Sequence, residues 1–373
     1  MDYLCPVRED CTDELRSLLD SRIVILDGAM GTTIRSYGLD EAAARGERFK
    51  DNAKDLLNNG DILSLTRPDV IRDIHLRFFQ AGSDIVETNT FSATTISQSE
   101  FFVDDPRETG KGRKDPEFFQ REVLDNQFLV ELAHELNVES SRLARAAAEE
   151  VSDTTGRKRY VAGAIGPLTV SLSNSPDAED PGYRMVTFDQ VLEAYAQQVR
   201  ALLEGGCDIL MVETIFDSLN AKAALVAIEE VFAEAGRRVP TIISAAVGRG
   251  GETMISGQRI DALCVSFRNF EPLAIGLNCS MGPKLMRAHL QELAGVTDSF
   301  VSCYPNAGLP NPLAPTGFDL GPDDMARFMA DFADAGLLNF AGGCCGNTPE
   351  HVAAIAKVLE GKAPRRPAMT GRS

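Results

Sequence analysis

The chain has 373 residues, of which 44% are hydrophobic and 25% charged, enough apolar material for a sizeable folded core. Its formal net charge of -18 excludes a nucleic-acid-binding protein, because phosphate binding needs clustered Lys and Arg and no long basic run occurs. No apolar run approaches the roughly 20 residues of a membrane span. The N-terminal residues also lack a signal-peptide core, so we expect a cytoplasmic protein without membrane contact.

Short β-branched runs recur along the chain, and each is followed by a stretch with helical periodicity. The runs predict eight strands, at residues 23–26, 84–87, 160–165, 208–213, 241–247, 273–277, 300–304 and 338–341. The stretches between them predict helices that include residues 68–81, 125–150, 188–205, 220–235, 284–294 and 322–335. This alternation indicates an α/β protein with a single (β/α)8 barrel. An open dinucleotide-binding sheet is less favoured, since no G-x-G-x-x-G follows any strand.

The barrel is predicted to occupy residues 21–360, between an N-terminal extension at 1–20 and a linker-like tail at 361–373. Residues 104–116 are charged and rich in Gly and Pro, which predicts a surface excursion before the next helix. The four histidines all fall within helical patterns, which favours surface or capping roles for them.

Polar and glycine-containing clusters follow most of the predicted strands, at the point where each strand ends. Acids occur at three of these ends, namely Asp27, Glu87 and Glu213. In a (β/α)8 barrel the carboxyl ends of the strands converge on one face, where active sites lie. Strands also end in turn-forming Gly and Asn for structural reasons, but this does not account for repeated acids and cysteines.

Three of the eight cysteines form a candidate metal site. Cys344 and Cys345 are adjacent and flanked by glycines, and Cys279 follows the sixth predicted strand. Three thiolates select zinc over magnesium or calcium. Three protein ligands leave a fourth position open, as in catalytic sites, and an open position suits a thiol substrate. The alternative is a buried cysteine pair with an unrelated third cysteine.

The remaining residues at the strand ends are typical of a clamp for an amino acid. Asp27, Glu87 and Glu213 can bind an ammonium group, and the segment 28–32 offers N–H groups for a carboxylate. Asn89, Asn278 and Asn306 can orient polar groups or supply a fourth zinc ligand before substrate binds. Each acid has an alternative role as a helix cap or as part of an ion pair.

Several motifs occur along the chain in one order. They are LDGAMGT (26–32), RGERF (45–49), DIVETNTF (84–91), VETIFDSLNAKAA (212–224), GLNCS (276–280), YPNAGLPN (304–311) and GGCCGNTPEH (342–351). In these motifs the chain resembles the homocysteine S-methyltransferase family, most closely the homocysteine-binding module of cobalamin-dependent methionine synthases. RGERF and NNGDILSLTRPDVI (58–71) resemble the cobalamin-dependent branch more than the betaine or S-methylmethionine branches.

The resemblance implies a barrel with catalytic zinc on Cys279, Cys344 and Cys345 and with the homocysteine sulfur as exchangeable ligand. It implies that Asp27 and Glu213 bind the substrate's amino group and that backbone at Gly31 and Thr32 binds its carboxylate. Asn306 matches a position whose amide can occupy the zinc before substrate arrives. The implied reaction is methyl transfer from methylcobalamin to homocysteine, which yields methionine.

The chain departs from the full enzyme's pattern in one respect. The cobalamin signature Asp-x-His-x-x-Gly occurs only at residues 73–78, where it lacks the glycine. We therefore expect methylcobalamin to be carried by another domain or subunit, with corrinoid-binding and folate-binding partners. Two alternatives stay open: a homocysteine methyltransferase that uses S-methylmethionine or betaine, and a non-enzymatic zinc-binding barrel.

Overall fold

The computed structural model describes residues 8–108, 110 and 112–366. Strands form from the apolar runs of the sequence, and every residue of the third and fourth strands is buried. In chain order the strands are β1 (Val24–Ile25), β2 (Ile85–Glu87), β3 (Tyr160–Ile165), β4 (Ile209–Ile215), β5 (Thr241–Ala245), β6 (Ala274–Asn278), β7 (Phe300–Tyr304) and β8 (Phe340–Ala341).

Neighbouring strands pair in parallel in the order β1-β8-β7-β6-β5-β4-β3-β2. β1 and β2, at the two ends of this order, meet through Asp84 at the start of β2. The Asp84 N–H donates to the Ile25 carbonyl at 2.7 Å, and the Asp84 carboxylate accepts the Ile25 N–H at 2.9 Å. The strands thus form a nearly closed barrel, which confirms the predicted (β/α)8 fold.

Helices follow the strands and pack around the barrel. Their first turns carry start signals, such as the reciprocal bonds between Thr187 and Gln190 that form a capping box. The α-helices are α1 (Thr12–Ser21), α2 (Met30–Ser36), α3 (Glu41–Arg45), α4 (Leu63–Thr66), α5 (Pro68–Gln80), α6 (Thr95–Phe102), α7 (Pro116–Phe118), α8 (Gln127–Thr155), α9 (Phe188–Glu204), α10 (Ser218–Ala235), α11 (Ile260–Phe267), α12 (Pro283–Val296), α13 (Pro322–Asp334) and α14 (Pro349–Leu359). Within the described residues, none of these helices is long and apolar enough to cross a membrane.

Helix α1 covers the amino-terminal end of the barrel. Leu15 and Leu19 are fully buried in a cluster with Val24, Ile85 and Tyr160, which lie at or near the starts of their strands. The predicted extension at 1–20 therefore contains a helix that seals one end of the barrel. Its first seven residues lie outside the described part of the chain.

The predicted excursion at 104–116 packs against the loop between β3 and α9. Lys114 is buried and lies 2.9 Å from Glu100, and the Arg113 guanidinium stacks 4.2 Å from the centre of the Tyr183 ring. The Tyr183 hydroxyl donates to the Lys114 carbonyl. These contacts tie the excursion to its neighbouring loop; residues 109 and 111 lie outside the described set.

The described part of the predicted tail, residues 361–366, is held by one arginine. Arg365 is 5% exposed, and its guanidinium donates to the carbonyls of Ala294, Thr297 and Ser299 at 2.7–3.0 Å. This segment therefore packs against the connection between α12 and β7. Residues 367–373 lie outside the described part of the chain.

One histidine departs from its predicted place. His75 in α5 is fully buried, and among the described residues neither ring nitrogen has a hydrogen-bond partner. The expected surface or capping role is wrong for this residue, because it shares the buried face of α5 with Ile71 and Phe78. His351 does cap its helix, since its Nδ1 accepts the Thr348 N–H at 3.2 Å.

Candidate metal centre and substrate cavity

Cys279, Cys344 and Cys345 come together at the carboxyl end of the barrel. The Sγ atoms of Cys279 and Cys345 are 3.9 Å apart, those of Cys344 and Cys345 are 4.0 Å apart, and all three lie within 4.8 Å. All three thiols are free and half-buried. A disulfide needs sulfurs about 2.05 Å apart. Tetrahedral zinc with bonds of about 2.3 Å places its sulfurs about 3.8 Å apart, so the triangle fits one metal ion.

The turn that follows β8 holds two of these cysteines in place. Any Cβ at Gly343 would lie 2.2 Å from the side chain of Asn347, and Gly346 has a φ of +83°. Asn347 donates its backbone N–H and its side-chain amide to the Cys344 carbonyl, both at 3.0 Å. The Cys344 N–H in turn donates to the Pro305 carbonyl at 2.9 Å. The glycines around the cysteine pair are thus required by a turn that folds back on itself.

Contacts among the three thiols shift the pKa values of Cys344 and Cys345 in opposite directions. Hydrogen bonds from Cys279 and then Cys344 lower the pKa of the Cys345 thiol to about 3. The same contacts, together with burial, raise the pKa of Cys344 well above its ordinary value. Three sulfur donors at this spacing form a soft donor set that suits zinc.

Asn306 is a candidate oxygen donor, and the next residue, Ala307, donates its N–H to the Cys345 carbonyl at 2.8 Å. Asn306 follows β7 and is buried, and its Oδ1 has no hydrogen-bond partner among the described residues. A buried amide oxygen without a partner is unusual and calls for an explanation such as an ion or a ligand. The residues present therefore fit a site with three thiolates and room for a further ligand.

Three buried or half-buried acids form a second cluster at the same end of the barrel. Asp27 follows β1, Glu87 ends β2, and Glu213 lies in β4. Asp27 accepts the Glu87 N–H at 3.0 Å, and the carboxyl groups of Glu87 and Glu213 are close enough for each to shift the pKa of the other. In the described part of the chain, none of the three forms an ion pair with Lys, Arg or His. A cationic ligand would supply the missing partner.

Burial controls the charge of these acids. It raises the pKa of Glu87 to about 7 and raises that of Asp27 well above its ordinary value, with the charge of Glu87 adding to the effect on Asp27. Burial and then Glu87 likewise raise the pKa of Glu213. A cation bound beside these acids would oppose this effect, because an opposite charge favours the ionised form of a carboxyl group.

One cavity of about 330 Å³ joins the cysteines to the acids. Its volume is close to that of small-ligand sites. It is lined by Asp27, Gly28, Ala29, Met30, Gly31, Thr32, Ile34, Arg35, Asn58, Asn59, Gly60, Asp61, Glu87, Thr88, Asn89, Phe91, Ser92, Phe101, Glu213, Thr214, Cys279, Tyr304, Gly343, Cys344 and Cys345. Larger clefts exist, such as one of about 1060 Å³ near Arg16, but that cleft contains neither cluster.

The predicted asparagines occupy different positions. Asn89 lines the cavity, but its amide already donates to the Gly60 carbonyl at 2.9 Å and to Ser64 at 3.1 Å. Asn278 is fully buried and lies off the cavity wall, as Asn306 does. Of the expected contacts, Gly31 and Thr32 are on the wall, and the Thr32 hydroxyl accepts the Gly346 N–H at 3.0 Å.

One acid on the wall was not predicted. Asp61 is buried, and its carboxylate accepts only two long hydrogen bonds, at 3.4 Å from the Ser92 N–H and 3.5 Å from Gln98. Burial raises its pKa to about 7. Asn59 and Gln98 pair their amides at 2.8 Å, which docks the loop of Asp61 against α6, and Asn89, just after β2, donates to the Gly60 carbonyl at 2.9 Å. Asp61 follows no predicted strand, so the strand-end pattern does not indicate it.

Comparison with solved structures supports the fold. The chain matches the homocysteine methyltransferase MmuM from Escherichia coli in its metallated form, with a TM-score of 0.63 and 22% identity over 92% of this chain and 99% of that one. The oxidised form of the same protein gives a TM-score of 0.64 and 23% identity, over 92% and 98% of the two chains. At this identity the likeness shows a shared fold.

A family model establishes the relationship. The model described as homocysteine S-methyltransferase matches residues 24–359, which include all eight strands and both clusters. The chain belongs to the homocysteine S-methyltransferase family and is a methyltransferase.

Proposed function

We propose that the chain binds one zinc ion through Cys279, Cys344 and Cys345 and methylates homocysteine to methionine, with methylcobalamin as the methyl donor. The observation that carries this proposal is the sulfur triangle, with spacings of 3.9 and 4.0 Å, at one side of a cavity with buried acids. A substrate with a thiol at one end and an ammonium group at the other can place the thiol at the sulfur triangle and the ammonium group beside the acids.

The residues around the cavity have distinct roles in this proposal. When bound, a zinc ion lowers the pKa of a coordinating thiol from about 8.5, so that the sulfur is a thiolate at neutral pH. Asp27, Glu87 and Glu213 bind the substrate's ammonium group. Gly31 and Thr32 lie in the first turn of α2, where N–H groups lack helical partners, and they bind its carboxylate. Asn306 offers its unpartnered oxygen to the metal before substrate arrives.

The cavity determines how the methyl donor approaches. A volume of about 330 Å³ suits an amino acid, so the donor meets the substrate sulfur from the open side. Methylcobalamin would supply the methyl group to the substrate sulfur held beside Cys279, Cys344 and Cys345, and the bonding electron pair would stay with the cobalamin. The thiol proton has already been released to solvent. A corrinoid-binding domain or subunit carries this donor, and a folate-binding one restores it.

The choice of donor is supported by the segment 58–71. This segment resembles the cobalamin-dependent branch, and it supplies Asn58, Asn59, Gly60 and Asp61 to the cavity wall. The part of the chain that most resembles that branch therefore lies beside the proposed substrate.

The first test removes single sulfurs. We expect Cys279→Ala and Cys344→Ala to lose bound zinc and to lower methyl transfer by at least about 100-fold, since even partners outside the ligand sphere contribute 10–100-fold. Cys303→Ala is the matched control, because Cys303 is a fully buried thiol on β7 that does not line the cavity. Wild-type zinc content and activity in the first two variants would refute the proposal.

The second test compares methyl donors in one assay. Purified protein is given homocysteine with methylcobalamin, S-methylmethionine or betaine, and methionine is measured. We expect turnover with methylcobalamin. Turnover with only one of the other two donors would contradict the donor assignment but leave the homocysteine assignment intact.

A further inference from the structure

Strand β4 departs from regular pairing where Glu213 lies. Val212 pairs with Ile243 and Ile215 pairs with Ala245, so Glu213 and Thr214 both lie opposite the single residue Ser244. This is a β-bulge, a feature that re-aims side chains beside active sites. Thr214 has a φ of 54°, which a β-branched residue adopts only when its surroundings hold it there.

Asn278 supplies that support from β6. Its Oδ1 accepts the Thr214 N–H at 3.1 Å and the Ser244 hydroxyl at 2.7 Å. Its Nδ2 donates to the Thr214 hydroxyl at 2.7 Å and to the Glu213 carboxylate at 3.4 Å. The amide is fully buried, and its hydrogen-bonding capacity is used by three residues of β4 and β5. It therefore takes the place of the ladder bonds that the bulge removes.

The backbone of Asn278 leads directly to a proposed metal ligand. Cys279 is the next residue, and it also has a φ of 54°. Its N–H donates to the Tyr304 carbonyl at 3.3 Å, at the end of β7. Asn278 therefore connects the two ends of the cavity. Its side chain bonds to Glu213 at the ammonium end, and its backbone continues into Cys279 at the metal end.

We propose that Asn278 is a positioning residue that fixes the distance between the metal-binding sulfurs and Glu213, and so selects homocysteine over cysteine. This inference rests on the proposed function. Cysteine is shorter by one methylene, so it cannot place its sulfur on the metal and its ammonium on Glu213 together. If the distance between the sulfurs and Glu213 is fixed, bound cysteine leaves the buried acid unpaired. This penalty separates the two substrates more strongly than an apolar pocket would.

The test replaces Asn278 and measures both substrates. In Asn278→Ala we expect the KM for homocysteine to rise about tenfold, kcat to stay within about threefold, and the preference for homocysteine over cysteine to fall about tenfold. Zinc per chain, measured by metal analysis, should stay at the wild-type value. Ser244→Ala removes a single bond to the same amide, so it should act in the same direction by about threefold.

Ser302→Ala is the matched control, because Ser302 is a fully buried hydroxyl on β7 with no partner among the described residues. We expect wild-type selectivity from it. A wild-type preference for homocysteine in both Asn278→Ala and Ser244→Ala, or a loss of zinc in them, would overturn the role of Asn278 alone. A wild-type protein that does not methylate homocysteine would overturn the proposed function and this inference together.

Discussion

Strands β2 and β4 each carry an acid at both ends, and the two ends of the barrel treat these acids differently. At the amino-terminal end, Asp84 lies 2.6 Å from Arg22 and 2.9 Å from Arg157, and Asp208 lies 2.8 Å from Arg8. Arg145 and Arg159 complete these two ion-pair clusters. At the carboxyl end, the acids of the same strands have no cationic partner among the described residues.

The comparison shows that burial alone does not mark a functional acid. Asp84 and Asp208 are at least as buried as Glu213, yet their charges are neutralised by the fold itself. Among the described residues, Glu213 accepts hydrogen bonds from the neutral side chains of Thr214 and Asn278, both at 3.4 Å, and neither Glu87 nor Glu213 has an ion-pair partner. A buried acid without a cation lowers stability until a ligand brings one, so the missing partner is what indicates a binding site.

The largest expected effect is on stability, at the amino-terminal end. Asp84→Asn leaves three arginines without their anionic partner, and we expect the free energy of unfolding to fall by about 3 kcal/mol. This is the lower part of the usual range, because Arg22 and Arg157 are partly exposed and screened by solvent. Urea denaturation measures the change, and kcat/KM of the folded protein should stay within about twofold of the wild-type value.

The control for this variant is Glu229→Gln, which breaks the exposed pair between Glu229 and Arg238. A surface pair contributes little, so we expect a change below about 1 kcal/mol. If Asp84→Asn instead raised the KM for homocysteine without lowering stability, the acids at the amino-terminal end could not be called structural and those at the carboxyl end ligand-binding.

The second effect is on activity, at the carboxyl end. Glu213→Gln keeps the shape of the side chain but removes the charge that pairs with the substrate's ammonium. We expect kcat/KM for homocysteine to fall about 100-fold, or about 2.7 kcal/mol, mostly through KM. The free energy of unfolding should stay the same or rise, since an amide needs no cation when buried. A marked loss of stability with unchanged KM would place Glu213 with the structural acids.

The smallest effect concerns a buried group that lies beside no cavity. Burial lowers the pKa of His75 to about 3, from about 6.5 in an unfolded chain. Because the folded-state pKa is depressed, the neutral ring's contribution is fully present above pH 6.5 and is lost as the pH falls towards 3. Between pH 7 and pH 5 the wild type should lose about 2 kcal/mol relative to His75→Leu.

Denaturation of both proteins at the two pH values measures that difference, and the acids shared by the two chains cancel from it. A constant difference between the proteins from pH 7 to pH 5 would show that the ring is hydrated or hydrogen-bonded in solution. A loss of stability between pH 7 and pH 5 would show that His75 is buried without a partner and serves no ligand. An unpartnered buried group would then indicate a ligand site only where a cavity lies beside it.

Much of this architecture follows from local sequence patterns. The eight apolar runs predict the strands because a barrel strand is covered on both faces, and the barrel then brings together Cys279, Cys344 and the strand-end acids. His75 could also have been placed correctly. It lies four residues after Ile71 and three before Phe78, a spacing that puts it on the buried face of α5.

Other features depend on contacts between segments that sequence periodicity does not reveal. Asp61 lines the cavity although it follows no strand, and its loop is held by the amides of Asn59 and Gln98 and by the bond from Asn89 to Gly60. The Asn278 amide bonds to Thr214 at the bulge in β4, a contact between two strands that no local pattern around Asn278 indicates. A bulge and a left-handed threonine have no sequence signal of their own.

The most direct test of the zinc and thiol assignment is X-ray absorption at the zinc edge, with and without homocysteine. Three cysteine sulfurs with one lighter ligand are expected in the free protein, and four sulfurs at about 2.3 Å once homocysteine is bound. Cysteine sulfurs unchanged in number and distance after saturation with homocysteine would contradict the assignment, as would a closed site of four protein ligands.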